Sequence, residues 1–395
     1  MISVKDALGI IEKVTVNLQY KNVDLSNALG FVLANDVLSP IDMPPFRQSA
    51  MDGYALKWSG NSKYKNKGES KAGDSANLEF KEGEAIRIFT GALVPDVANT
   101  VVIQEHVEKV DNDIIIKQMP SKYANIRKKG EQIKTGDIAL KKGTLLNAAA
   151  IGFLACLGIS KVRVFKKPKV GILVTGSELQ QAGSVLKQGK IYESNSIMLK
   201  SALKAIGIKD AQSYSVKDDY ISTKKIIESA LETNDVLLIS GGISVGDYDF
   251  VKQALEDNNV DELFYKINQK PGKPLWFGKT NKTFVFALPG NPASALTCFY
   301  IYVQSLLKTM CGYRKVHLER LKAKCITDIK NASAKTLFLK ATLNNNNEVK
   351  VHQGQSSAML HTYALSNALV CIDETVTELK AGDEVECLKL EMLWR

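Results

Sequence analysis

The stretch that decides the fold is Asp235-Val-Leu-Leu-Ile-Ser-Gly-Gly-Ile-Ser-Val-Gly-Asp-Tyr-Asp249. Its apolar run, Val236–Ile239, has the length of a buried strand and is too short for a buried helix. The glycines that follow permit a sharp turn with backbone N–H groups close to an anion, before a helical pattern begins near Asp249. Open α/β sheets bind ligands at such a strand-to-helix loop. On this stretch alone, a plain glycine-rich turn whose aspartates cap the helix stays open as an alternative.

The same alternation of strand and helix extends to both sides of this stretch. Apolar runs predict strands at 169–175, 236–239 and 284–288, and periodic patterns predict helices at 197–206, 249–257 and 293–310. Elements of these lengths predict a doubly wound parallel sheet. Short alternating runs predict β structure from 47 to about 142 and again beyond 314, with a small-residue helix at 147–157. The predicted fold class is therefore multidomain α/β plus β.

Composition excludes several classes of protein. With 395 residues the chain is too long for one core. The net charge of +10 comes from dispersed lysines without a nucleic-acid motif, so we expect anionic small ligands and no nucleic acid. The six cysteines form no C-x-x-C pair, which predicts reduced thiols. The longest apolar stretch, Leu145–Leu157, is too short to span a bilayer, so we expect a soluble, cytoplasmic protein with no membrane contact.

Three strand-to-helix junctions carry unusual residues. They are Thr175-Gly-Ser-Glu178, the Ser240–Gly242 loop and Ala287-Leu-Pro-Gly-Asn-Pro-Ala-Ser294. Because parallel strands bring their carboxyl ends to one edge, Glu178, Asp249 and Pro289–Pro292 are predicted to face one crevice. Asp218 follows another strand and adds a carboxylate at the same edge. Such carboxylates suit a hydrated divalent cation beside a phosphate.

Three lysines follow in the proline-stiffened segment Tyr265–Pro274. If this segment is a strand, Lys266 and Lys270 share one face, which suits an oxyanion; a solvated strand face is the alternative. Carboxylates and lysines in one crevice predict a metal-assisted reaction at a phosphate or similar oxyanion. The sequence lacks a Walker lysine motif and a nucleophile signature, which argues against a covalent enzyme intermediate.

Taken together, these residues resemble the molybdopterin molybdenumtransferases, the MoeA and gephyrin E-domain family. The resemblance begins with Pro40-Ile-Asp-Met-Pro-Pro-Phe-Arg-Gln-Ser-Ala-Met-Asp-Gly-Tyr-Ala55. It continues in the same order through Arg87–Ala92, Asn125–Glu131, Thr175–Leu179, Ser240–Gly246, Lys270–Pro274 and Leu288–Pro292. It is weakest after residue 315.

The resemblance implies four domains and an elongated homodimer. The expected domains are a discontinuous helical and extended one (1–45 and 143–168), an inserted β lid (46–142), a MogA-like α/β molybdopterin-binding domain (169–314) and a C-terminal β-barrel (315–395). The active crevice is expected between the α/β domain of one subunit and the lid of the other. A MogA-type adenylyltransferase and molybdoenzyme apo-proteins, or their chaperones, are the implied partners.

The implied reaction consumes adenylylated molybdopterin and molybdate, and yields molybdenum cofactor and AMP with Mg²⁺. By the resemblance, lid residues Asp52, Thr90 and Arg127 belong to the active site. Glu178, Asp218 and Asp249 are the implied carboxylates, with Glu178 and Asp249 as metal ligands. Lys266 and Lys270 are the implied oxyanion-binding lysines. The implied pterin-binding residues are Ser240, Gly241, Gly242, Ser244, Lys273, Pro289, Gly290, Asn291 and Pro292.

Two positions depart from the pattern. Gln132 stands where many members carry an aspartate, so the charge is dispensable, or Glu131 replaces it, or activity is altered. Lys340 stands where an arginine is common. Two alternatives remain: a non-catalytic carrier or scaffold that presents the pterin to partner enzymes, and a member that prefers tungstate to molybdate.

Overall fold

The computed structural model describes residues 1–75, 77–243 and 250–390. Ser244 and Asp249 of the glycine-rich loop, two of the predicted site residues, lie outside the described residues. The chain divides into two compact units, one formed by Met1–Lys21, Gly30–Val32 and the chain from Phe165 onward, the other by Asn22–Leu29 and Leu33–Val164. The finer division into four domains, one of them discontinuous, stays a prediction.

A six-stranded sheet forms the centre of the first unit. Its strands, in spatial order, are Ala211–Val216, Val170–Thr175, Val236–Ser240, Phe284–Leu288, Trp276–Lys279 and Asp261–Tyr265. The first four are parallel, as the alternating pattern predicts. The fifth is antiparallel to both of its neighbours, at the edge of the sheet beyond the predicted parallel strands. No crossover helix separates the last two strands, and such a short connection permits only antiparallel pairing.

Helices cover both faces of this sheet. They are Val4–Lys13, Asn195–Ala205, Tyr220–Thr233, Val251–Glu256 and a continuous run made of Pro292–Cys298, Phe299–Val303 and Gln304–Met310, with a π-helical middle. Alternate strand residues enter two different cores, as the period of a strand requires. Leu238 packs in the core on one face, and Leu237 and Ile239 pack in the core on the other. All five residues of Val236–Ser240 are buried, which confirms the prediction for this strand.

A C-terminal β-barrel completes the first unit. Each of its five strands pairs with two others, so that the sheet closes: Glu319–Cys325, Thr336–Leu343, Glu348–Val351, Ala368–Ile372 and Glu384–Lys389. The C-terminal region also contains a short helix, His361–Ala364. The remaining short strands of the first unit are Leu179–Gln180, Ile191–Tyr192, Gln269–Lys270, Ile329–Lys330 and Glu378–Leu379. The predicted β-barrel is confirmed.

The second unit contains a six-stranded sheet in the segment predicted as a β lid, hereafter the lid sheet. In spatial order its strands are Thr100–Ile103, Gly53–Leu56, Glu84–Ile88, Lys63–Ser70, Asp113–Ile116 and Val107–Val110. Two small ladders pair Gln48–Ser49 with Ile126–Arg127 and Val37–Leu38 with Ile138–Leu140. Two 3₁₀ turns span Leu25–Asn27 and Gln104–His106. The chain crosses from one unit to the other within two strands, Tyr20–Asp24 and Lys161–Phe165.

The helix Ala148–Cys156 of the second unit is apolar throughout, yet only Leu154 is buried. The predicted small-residue helix is thus confirmed. Among the described helices, none has the length and apolar character needed to cross a membrane.

Candidate active site

A crevice of about 650 Å³ opens at the carboxyl edge of the α/β sheet. Its lining includes the ends of the parallel strands Val170–Thr175 and Val236–Ser240 and the turn that follows a third, Phe284–Leu288, which confirms that the predicted junctions share one edge. The predicted residues that line it are Glu178, Asp218, Ser240, Gly241, Gly242, Pro289, Gly290, Asn291 and Pro292.

The turn that carries Glu178 is held from two sides. Ser177 N–H donates to Asp218 Oδ2 at 2.6 Å, and Lys190 Nζ donates to the Ser177 carbonyl at 2.7 Å. Gly176 has φ +149°, and a Cβ there would lie 2.7 Å from Glu178 Oε2. The glycine therefore lets the glutamate carboxylate fold over the turn. Asp218 positions this turn as well as lining the crevice, and Lys190 is a support that the sequence patterns did not single out.

Few carboxylates of the crevice could hold a cation such as magnesium. Glu178 and Asp218 both line the crevice, whereas a third acid, Glu193, accepts the N–H of Ser196 at 2.8 Å and so caps a helix. Among the residues described, no group of three or more His, Cys, Asp or Glu side chains has the geometry of a metal site. Mg²⁺ commonly uses one or two carboxylates, together with water and substrate phosphates. Glu178 and Asp218 supply that number of carboxylates, and one oxygen of Asp218 also accepts the Ser177 N–H.

The glycine-rich loop lies against a strand end and leaves little room for side chains. A Cβ on Gly241 would lie 2.8 Å from the Thr175 carbonyl oxygen, and one on Gly242 would lie 2.7 Å from a Val251 methyl group. Gly241 N–H donates to the Leu288 carbonyl at 3.3 Å. This amide is therefore engaged within the protein, which reduces the number of loop donors open to an anion.

Asn195, which sequence patterns did not indicate, ties the walls of the crevice together. Its Nδ2 donates to Ser240 Oγ and to the Gly290 carbonyl, each at 2.7 Å. One side chain thereby joins the glycine-rich loop to the proline turn, 45 and 95 positions away in sequence. The residue is 8% exposed, and its Oδ1 has no partner among the described residues. A helix-starting asparagine resembles an ordinary cap in the sequence, so its role depends on tertiary contacts.

The lysine segment differs from its prediction. Lys266 follows the strand Asp261–Tyr265 and has φ +64°, whereas Lys270 belongs to the separate strand Gln269–Lys270. The two lysines therefore do not share the face of one strand, because the left-handed residue between the strands breaks the alternation. Lys270 and Lys273 are exposed, and Pro274, next to Lys273, lines the crevice.

A second polar cluster lies in the lid sheet. Asp52 Oδ1 accepts hydrogen bonds from the Thr90 N–H and Oγ1, each at 2.7 Å. These bonds, with a smaller contribution from the Arg87 guanidinium, lower the pKa of Asp52. The predicted pair of Asp52 and Thr90 is thus in direct contact. Gly53 has to be glycine, since a Cβ there would lie 1.9 Å from the Val102 carbonyl oxygen.

Arg87 supports this cluster, although only its motif was noted in the sequence. Its guanidinium donates to the Gly53 carbonyl at 2.9 Å and lies over the rings of Tyr54 and Phe89, 5.3 and 4.7 Å from their centres. These contacts orient the backbone that follows Asp52.

Three further residues discussed for the lid, Arg127, Glu131 and Gln132, lie in a small ladder and in the turn after it. Arg127 is exposed in the ladder opposite Gln48. Glu131, the proposed replacement for a missing aspartate, accepts the Lys128 N–H at 2.8 Å. Gln132 is exposed, and its N–H donates to the Met43 carbonyl at 2.9 Å.

Three family models match successive parts of the chain. They are described as the MoeA N-terminal region (domain I and II), over residues 2–158, a probable molybdopterin binding domain, over 171–309, and the MoeA C-terminal region (domain IV), over 322–390. The chain belongs to the MoeA family. In this MoeA family member, the crevice lies largely within the segment that matches the molybdopterin-binding model.

Full-length relatives agree with this assignment. The chain is 32% identical over 401 residues to a molybdopterin molybdenumtransferase of Staphylococcus aureus (strain Mu50), covering 99% of this chain and 96% of the relative. Over 402 residues, it is also 32% identical to a protein of the same name from Staphylococcus epidermidis, with the same coverage. The crystal structure of a molybdopterin biosynthesis MoeA protein from Pyrococcus horikoshii matches 98% of this chain and 100% of its own, at 31% identity and a TM-score of 0.84.

Proposed function

We propose that this MoeA family member is a molybdopterin molybdenumtransferase that acts in molybdenum cofactor biosynthesis. In the proposed reaction, the enzyme takes up adenylylated molybdopterin and molybdate and, with Mg²⁺, releases AMP and molybdenum cofactor. The observation that carries the proposal is the crevice at the carboxyl edge of the sheet, where Glu178 and Asp218 lie beside the glycine-rich loop. Relatives of matching length with the corresponding name support the same chemistry.

Each wall of the crevice has a proposed task in binding the substrate. The glycines at 241 and 242 let the backbone approach the pterin phosphate closely, and the turn Pro289–Pro292 forms a rigid floor beneath the pterin. Lys266, Lys270 and Lys273 supply positive charge that attracts molybdate and the adenylate.

The carboxylates have a separate proposed task, which is to hold the cation. Glu178 and Asp218, with Asp249 outside the described residues, would hold magnesium. When bound, magnesium neutralises charge that develops on the phosphate oxygens. Asp218 and Lys190 hold the turn through the Ser177 backbone, so that Glu178 keeps its position as the substrate enters. Fixed charges of this kind stabilise the transition state without reorganising during the reaction.

Asp52, Thr90 and Arg127 of the lid are proposed to act in the same reaction, at the site that takes up its anionic substrates. Thr90 holds one carboxylate oxygen of Asp52 through two hydrogen bonds, which lower the pKa of this carboxyl. The exposed guanidinium of Arg127 is suited to a phosphate or molybdate oxygen.

The direct test is release of AMP. Purified protein is mixed with adenylylated molybdopterin, molybdate and MgCl₂, and AMP is measured with and without EDTA. The enzyme proposal requires AMP release that depends on the protein and falls on EDTA addition. Glu178→Gln should lower turnover strongly, whereas Glu232→Gln, an exposed change on the Tyr220–Thr233 helix, is the matched control. Binding of the substrate without AMP release would favour a pterin carrier instead, and competition with tungstate in the same assay measures oxyanion preference.

The proposal includes a homodimer, supported by the exposed apolar helix Ala148–Cys156. An apolar surface of this kind is typical of an interface between copies of a chain. Light scattering after size exclusion should give twice the chain's mass of 43.4 kDa. Ala155→Glu should shift the mass toward the monomer, whereas Ser121→Glu, at an exposed loop of the same unit, should not. A monomeric wild-type protein would contradict the homodimer.

A further inference from the structure

A loop of the C-terminal barrel forms part of the crevice wall. The loop Gly354–Met359 places Ala358 among the residues that line the crevice. Its neighbour Ser357 accepts, through the main-chain carbonyl, the N–H groups of Ala293 and Ser294 at 3.0 and 3.2 Å. These are first-turn amides of the helix that follows the proline turn, and they have no partner within their own helix. The barrel loop therefore caps this helix.

The same loop also contacts the turn that forms the crevice floor. Asn291 Nδ2 donates to Ser357 Oγ at 2.9 Å. The neighbouring carbonyl, that of Gly290, accepts from Asn195 at 2.7 Å. The floor is thus held by the barrel loop on one side and by the asparagine of the α/β domain on the other.

One buried ammonium group holds the loop. Lys340 lies in the barrel strand Thr336–Leu343 and is 1% exposed. Its Nζ donates to the carbonyls of Gly354, Ser356 and Met359 at 3.0, 3.1 and 3.1 Å. A lysine ammonium has three donors, and here three carbonyls accept from them. The side chain consequently acts on the loop, without a donor left for an anion in the crevice.

We propose that Lys340 is a positioning residue of the active site. Its buried ammonium fastens the barrel loop, the loop carbonyl caps the helix, and the cap keeps the Pro289–Pro292 turn in place as the crevice floor. The C-terminal barrel thereby fixes part of the geometry of the active site. The effect on catalysis rests on the proposed function, whereas the effect on the helix cap does not.

Hydrogen exchange on the full chain tests the mechanical step. In Lys340→Met, we expect amide exchange in the segment 293–298 to accelerate about tenfold relative to wild type, because the loop that caps it loses its anchor. Lys340→Arg supplies donors again and should restore slow exchange in large part. Lys350→Met removes an exposed lysine from the adjacent barrel strand and is the matched control. Wild-type exchange in a folded Lys340→Met protein would overturn the proposal.

Substrate kinetics test the link to the site. Lys340→Met should raise the KM for adenylylated molybdopterin about tenfold while changing kcat much less, because it disturbs the crevice floor and leaves Glu178 and Asp218 in place. Lys340→Arg should recover most of the loss. Should Lys340→Met fail to fold, Ser357→Ala provides the second variant: it removes only the hydroxyl that contacts Asn291, and its KM should rise several-fold. An unchanged KM in Ser357→Ala would overturn the link between loop and crevice. Absence of activity in the wild-type protein would instead refute the proposed function, and the exchange experiment would still decide the role of Lys340.

Discussion

Replacing Asn195 by alanine should loosen the crevice and destabilise the α/β domain. The change removes two hydrogen bonds of 2.7 Å, to Ser240 Oγ and to the Gly290 carbonyl. A net loss of about 1 kcal/mol per bond, rising where a buried partner is left unsatisfied, gives about 2–4 kcal/mol in total. Because the two lost hydrogen bonds hold both the glycine-rich loop and the proline turn, the affinity for the pterin should fall together with the stability of the domain.

Calorimetry and pterin binding measure the two effects. The unfolding midpoint of Asn195→Ala should fall by several degrees, given about 2–4 °C per kcal/mol in a domain of this size. Ser201→Ala is the matched control, because among the described residues its hydroxyl donates only to the Ile197 carbonyl of the same helix. A midpoint for Asn195→Ala that equals that of Ser201→Ala would refute the view that Asn195 bridges the walls. Lower stability with unchanged pterin affinity would refute the link to the site.

Three further predictions concern the lid sheet. Gly53→Ala should prevent native folding of the lid sheet, because its Cβ would lie 1.9 Å from the Val102 carbonyl oxygen. Limited proteolysis would detect the unfolded sheet, and a protease-resistant variant would contradict the prediction. Hydrogen bonds from Thr90 lower the pKa of Asp52. The loss in the free energy of unfolding caused by Asp52→Ala should therefore be largest at pH values above the ordinary aspartate pKa of about 3.9. It should vanish as the pH falls through the lowered pKa of the folded protein. Urea titrations at several pH values follow that difference, and a difference that grows in acid would count against the assignment. Arg87→Met should lower AMP release while Arg87→Lys recovers little of it, since a lysine cannot reproduce the stacked, planar guanidinium.

Much of the site could be predicted because it depends on local sequence. The buried strand at 236–240, the glycine turn after it and the proline turn at 289–292 are each specified by neighbouring residues. Parallel pairing then brings their ends to one edge, so the composition of the crevice followed from the order of elements.

The parts that were missed depend on contacts between distant residues. Lys266 was expected on a strand face, but its left-handed backbone places it between two strands. Asn195 was not singled out, and Lys340 was noted only for standing where an arginine is common, since neither local pattern reveals a partner far away in the sequence. Their roles depend on which carbonyls lie within reach after folding.

By itself, the sequence determined the alternation of strands and helices, the glycines that backbone geometry requires, and the kinds of charged groups available for chemistry. These properties are local, because hydrophobic period and backbone sterics act over a few residues. Only the tertiary structure decided which groups remain available to a substrate. In the glycine-rich loop, Gly241 N–H already donates to the Leu288 carbonyl, and Ser240 Oγ already accepts from Asn195. Most buried polar groups form a hydrogen bond, and the packing of the whole domain decides which partner each of them meets.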